Sequence, residues 1–217
     1  LEIPGKEGGS MTISIFEDEA SVFLVSIRSF VQMYKDIATL LTCADELMSK
    51  KGWIPLVNGK RGNQAVAHAS KSIKLPAKWL PLLIYREYVK SIAESGELRT
   101  SAFISVTLDY PDLEPDNKPI TDPFIAAGYY IHTQDRLKDW PRLYAANLFA
   151  GNIDQYGSFI DIQAEWIDEN AWKKHHDSFH GGRSKAVVLS AIKTQDDLQS
   201  LIVAPLLDEL EQIVQPT

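Results

Sequence analysis

"SAFISVTLDYPD" occupies residues 101–112, and its alternation decides the fold class. Ala102, Ile104, Val106 and Leu108 fall on one side, and Ser105, Thr107 and Asp109 on the other, which is the period of a strand. Twelve residues on, "FIAAGYYIHT" (124–133) is apolar on both sides and reads as a central strand. The acidic, proline-rich "YPDLEPDNKPITDP" (110–123) between them has the composition of a long loop, so the two strands are expected to pair as a hairpin. "GSFIDIQAEWI" (157–167) and "KAVVLSAI" (185–192) read as a third and a fourth strand.

Helical periodicity surrounds these strands. From Ser14 to Lys50, Phe23, Ile27, Phe30, Tyr34, Ile37, Leu41, Ala44 and Met48 step alternately by four and three residues. Ser14 and Glu17 have capping-box spacing, and Gly52 is placed to stop the helix. The flanks of the stripe are Leu24, Val31, Met33, Leu40 and Leu47 rather than charges. So wide an apolar face suits packing in a globular core in preference to a dimer seam. "WLPLLIYREYVKS" (79–91) could be a helix begun near Pro81 or a strand, since Ile, Tyr and Val suit a sheet, and its run on into "IAESGEL" favours the helix. Asp139 caps a short helix at 140–150, Asp168 opens another that Gly181 closes, and Thr194 with Asp197 opens the last, which Pro205 should kink or break. The expectation is α+β: a mostly antiparallel sheet of about four strands, with the long N-terminal helix and the C-terminal helix packed on it. Residues 1–10, "LEIPGKEGGS", read as an expression remnant before Met11, and 11–217 as a single domain.

Composition narrows the function classes. A single cysteine, Cys43, excludes an intrachain disulfide and a cysteine-rich zinc site, and fits a reducing, cytoplasmic setting. No run of about 18 apolar residues occurs, so no spanning helix and no membrane role are expected. The net charge of −7 hides a segregation. Eight of the 22 basic residues (Lys50, Lys51, Lys60, Arg61, Lys71, Lys74, Lys78 and Arg86) lie between Glu46 and Glu87, where no acidic residue occurs. That segment is therefore +8, and the remaining 14 basic and 29 acidic residues leave the rest of the chain at −15. Such a block attracts anions locally, whereas a −15 remainder opposes generic duplex nucleic acid.

Two constellations carry the functional expectations. In the basic block, Lys60 and Arg61 sit in the turn "NGKRGN" between Trp53 and Trp79, and charge beside aromatic rings can hold an anionic small molecule or an acidic protein. In "HHDSFHGG" (175–182), His176 and His180 are one helical turn apart, the spacing with which two histidines share a metal. Asp177 stands where metalloproteases carry glutamate, and a third ligand would have to come from His132, Asp161 or Glu165. The glycines of "HGGRSK" could expose backbone N–H groups to an anion beside Arg183 and Lys185, or simply form a turn entering a strand. No serine-hydrolase elbow, P-loop or dinucleotide fingerprint is present. The leading expectation is a non-enzymatic domain, without a cofactor, that binds a protein partner or anionic ligand through residues 50–86 and in which homo-oligomerisation is open. The alternative is a metal-dependent hydrolase built on His176 and His180.

Overall fold

Helix α1 runs from Ala20 to Ser49 and ends where the sequence places its stop. Gly52 adopts φ +81°, the left-handed conformation that costs a residue without Cβ least. Its N–H donates to the Ser49 carbonyl at 2.9 Å and the Trp53 N–H to the Met48 carbonyl at 3.1 Å. These paired bonds are the Schellman arrangement, and both Met48 and Trp53 are buried, as its accompanying hydrophobic contact requires. The structure, a computed structural model, describes residues 20–57, 60–61, 66–68, 83–90, 98–108, 122–133, 156–162 and 179–214. The Ser14–Glu17 box and residues 1–10 lie outside them.

The chain divides into two units, Leu1–Asp36 and Ile37–Thr217. The apolar stripe of α1 has a different fate in each. In the second unit Ile37, Leu41, Ala44 and Met48 are buried, as a core helix requires. In the first, Phe23, Ile27 and Phe30 are exposed, so the expectation of a core-packed stripe holds only for its C-terminal half.

Among the described residues the second unit is built on one antiparallel sheet of eight strands, where about four were expected. They are β1 (Ile54–Val57), β2 (Lys60–Arg61), β3 (Val66–His68), β4 (Leu83–Val89), β5 (Arg99–Thr107), β6 (Phe124–His132), β7 (Ile160–Asp161) and β8 (Phe179–Val188). Their order is β2-β1-β4-β5-β6-β8-β7, with β3 beside β4. One edge of β4 is shared: Leu83–Tyr85 pair with β3 and Glu87–Val89 with β1. The hairpin expected of residues 101–133 is present, as β5 and β6 pair in unbroken register from Arg99↔His132 to Thr107↔Phe124. β6 is interior and buried on both sides.

Residues 83–89 form a strand, not the expected helix. A strand covered on both faces shows a continuous apolar run, and periodicity cannot separate that from a buried helix. The second difference lies at "FHGG": β8 starts at Phe179, so the helix expected to close at Gly181 does not reach it. A bulge sets His180 outside the register, since Ile131 pairs with Gly181 and His132 with Phe179. Gly181 at φ +130° makes that irregularity affordable to the backbone.

The C-terminal segment packs on the face of the sheet that also receives the second-unit part of α1. Thr194 caps α2 (Gln195–Leu198) in a reciprocal capping box with Asp197, as expected. A π-helical turn (Gln199–Val203) then leads into α3 (Ala204–Val214) without a break. Pro205 follows this turn at once, so the backbone widens where the proline ring would press on the carbonyl four residues back. Lys51 and Glu211 approach to 3.8 Å at the surface.

Candidate functional site

Strand alternation and register sort the sheet into two faces. Arg86 and Tyr88 point to the helical side, where Arg86 Nε donates to Asp45 Oδ1 at 3.0 Å and the Tyr88 hydroxyl to the same oxygen at 2.9 Å. Arg86 also forms an ion pair with Asp45 through its terminal nitrogen. At the other end of the same face, Arg183 binds Glu209 on α3 through two bonds of 2.7 Å and Asp161 on β7 at 3.1 Å. Phe159 lies 5.7 Å from the guanidinium. This face is bolted to its helices by carboxylate–guanidinium pairs.

The opposite face carries the unexpected feature. Glu87 on β4, Ser101 on β5, and Tyr130 and His132 on β6 fall on it together. The register places Val89 opposite Ser101 and Ser101 opposite Tyr130, which brings the side chains on this face within reach of one another. The Tyr130 hydroxyl donates to Glu87 Oε1 at 2.6 Å. Ser101 Oγ lies 2.9 Å from His132 Nε2. The Tyr130 and His132 rings are 5.2 Å apart, and Phe103 stacks on Tyr130 at 6.2 Å. Further along β5, Ser105 Oγ and Thr107 Oγ1 are buried without a hydrogen-bond partner. Buried hydroxyls are normally satisfied, so these two mark a polar surface whose complement is incomplete. Gly128 makes room for the layer, because a Cβ there would meet the Phe103 ring at 2.8 Å.

The electrostatics are those of a desolvated acid. Burial raises the Glu87 carboxyl above its ordinary range, while hydrogen bonds from Tyr130 and Ser101 pull it down. The same burial, reinforced by the neighbouring Glu87, pushes the Tyr130 phenol well up, so Tyr130 stays a neutral donor. No cation pairs with Glu87 among the described residues. Ser101 stands beside both Glu87, whose carboxyl it helps to hold down, and His132, whose Nε2 lies 2.9 Å from its hydroxyl oxygen. The set can therefore hold a cationic or N–H-rich group. Ser101 lies within β5 with its backbone paired to both β4 and β6, unlike a nucleophile presented on a turn.

No family model, curated protein or solved structure matches this chain. Its site must be read from its own geometry. No helix among the described residues is long and apolar enough to cross a membrane.

The residues singled out in the sequence do not meet at this site. Lys60 and Arg61 are on β2, paired with Val57 and Leu56, where a turn was expected. Trp53 is only 3% exposed and sits under the α1 stop, so its ring is not available for stacking on a ligand. Trp79 and His176 lie outside the described residues. His180 is an exposed residue of a strand, so the one-turn helical spacing that suggested shared ligation with His176 does not apply. His132 and Asp161 are on opposite faces, the first with Ser101 and the second with Arg183, and Glu165 is outside the described residues. Among the described residues no cluster of three or more His, Cys, Asp or Glu is placed to hold a metal. Within the basic block, Arg86 is committed to Asp45. In "HGGRSK" the glycines enter β8, and Arg183 holds the carboxylates of Asp161 and Glu209. Burial also lowers the Lys185 ammonium. Glu87, Ser101 and Tyr130 were missed because the helical reading of 79–91 took Glu87 off the sheet. The available signal was Ser101, Ser105 and Thr107 repeating on one side of β5.

Proposed function

We propose that this chain is a ligand-binding domain whose sheet face, centred on Glu87, receives a small molecule bearing a cationic or N–H-rich group. One observation carries the reading: a desolvated carboxyl, hydrogen-bonded by Tyr130 and set beside Ser101 and His132, pairs with no cation among the described residues. The ionised form of a partly desolvated carboxyl is stabilised when a positive partner arrives. Ser105 and Thr107 supply further hydroxyls for polar groups of the same ligand. The setting that suits it is a reducing, cytoplasmic one, where Cys43 stays a thiol.

The test is a thermal-shift and calorimetric screen of amines, amidines and guanidines against their neutral isosteres, on wild type and Glu87→Gln. At least one cation should raise the melting temperature of wild type and leave Glu87→Gln unmoved. Equal responses from the two proteins, or preference for the neutral isosteres, would remove the reading.

A second reading keeps the basic block as a docking edge for an acidic partner. The observation favouring it is that β2, which carries Lys60 and Arg61, ends the strand order among the described residues, and a sheet edge can accept an extended segment. Salt-sensitive binding lost in Lys60→Glu/Arg61→Glu would support it.

A further inference from the structure

Independently of the sheet site, we propose that the N-terminal part of α1 is a self-association surface, covered by the same stripe of a second copy of this chain across a two-fold axis. In the first unit Phe23, Leu24, Ile27, Phe30 and Val31 are all exposed, Phe23 to 62%. Phe23, Ile27 and Phe30 step by four and three, and Leu24 and Val31 lie seven apart alongside them. Together they form one apolar stripe with a seven-residue repeat. That repeat is the period at which helices seat side chains between those of a facing helix of like period.

Three observations point to a copy of the same chain as the occupant. First, the line of Phe23, Ile27 and Phe30 has only uncharged residues beside it, Leu24 and Val31 on one side and Ser26 and Met33 on the other, and Arg28 and Lys35 come in only beyond Leu24 and Val31. Self-pairing across a two-fold axis brings like residues together, so a neutral flank removes the repulsion that would oppose it. Second, the polar side of the helix is satisfied within itself. The Ser26 and Ser29 hydroxyls donate to the Val22 and Val25 carbonyls at 2.9 and 3.0 Å, and Gln32 donates to Asp36 at 2.8 Å. A helix that lies on a membrane carries a strongly basic polar face instead. Third, the area suffices. At 62% and 45% exposure, Phe23 and Phe30 have roughly 160–270 Å² per chain to lose. With Leu24, Ile27 and Val31 in both copies, the pair approaches the ~1,000 Å² at which specific interfaces begin.

The experiment is sedimentation equilibrium of the full chain from nanomolar to high micromolar concentration, with far-ultraviolet circular dichroism on every variant. Wild type should pass from monomer to dimer mass. Ile27→Glu/Phe30→Glu should raise the dissociation constant at least about thirtyfold with the helical signal unchanged. If the charges unwind the helix, Ile27→Ala/Phe30→Ala keeps helix propensity and should still weaken the dimer. Val25→Glu is the control, since Val25 is 60% exposed yet off the stripe, and it should dimerise as wild type does. A wild type that stays monomeric throughout would overturn the proposal. So would dissociation by Val25→Glu as strong as by the stripe variants. So would a monomer that binds anionic phosphatidylserine vesicles through Ile27 and Phe30.

Discussion

Replacing Asp45 by asparagine should be among the most damaging changes to the second unit. Arg86 is 2% exposed and reaches Asp45 through both Nε and a terminal nitrogen, while Tyr88 donates to the same carboxylate. Asparagine keeps the shape and removes the negative charge that faces a buried guanidinium. Breaking a buried pair from one side costs about 3–5 kcal/mol. At about 2–4 °C per kcal/mol for a chain of this size, the melting midpoint should fall by roughly 6–20 °C. Arg86→Met should cost less, because Asp45 is 21% exposed and can recover water. The double change Asp45→Leu/Arg86→Met should cost far less than the sum of the singles, because apolar isosteres owe no desolvation. Urea unfolding at fixed protein concentration, followed by fluorescence of the buried Trp53, measures all three. A cost below about 1 kcal/mol for Asp45→Asn, or a double variant equal to the sum of its parts, would refute the claim that this pair clamps α1 to the sheet.

Glu87→Gln should separate from wild type with pH. The Glu87 carboxyl is raised in the folded state, so its contribution is fully present below the ordinary value of 4.5 and is lost as pH rises through the raised one. The stability of Glu87→Gln relative to wild type should therefore grow from acid toward neutral pH, and a constant difference in melting midpoint would contradict the desolvated setting. Gly128→Ala should lose at least about 1–3 kcal/mol, since its Cβ would meet the Arg183 carbonyl oxygen and the Phe103 ring. A Gly128→Ala chain as stable as wild type in urea would mean that β6 and β8 can part without cost.

What the sequence discloses here follows the range over which each signal acts. The alternation of 101–108, the double-sided run of 124–133, the Gly52 stop and the Thr194–Asp197 box are local, and each stands in the structure as read. β4 was not legible because burial on both faces erased its alternation. The start of β8 was hidden by a bulge that only its pairing with β6 defines. The polar sheet face depends on register among three strands that are distant in sequence. Ser101 alone looks like a strand serine and Glu87 like a surface charge, and only their shared face makes them a site.

The strand order also has a consequence for synthesis. β6 must pair with β8, yet residues 133–178 lie between them. At roughly 5–20 residues per second, a ribosome completes β6 roughly 2–9 s before β8 begins to emerge. During that interval the β4–β5–β6 meander has a nine-residue strand with one unpaired edge, next to the apolar Ile125 and Tyr129. An unpaired edge of that length invites pairing with a neighbouring nascent chain. The helices that seal the helical face, α2 and α3, follow β8 in the chain. The second unit therefore closes only once β8 and these helices are in place, and until then the open edge of β6 is an aggregation hazard.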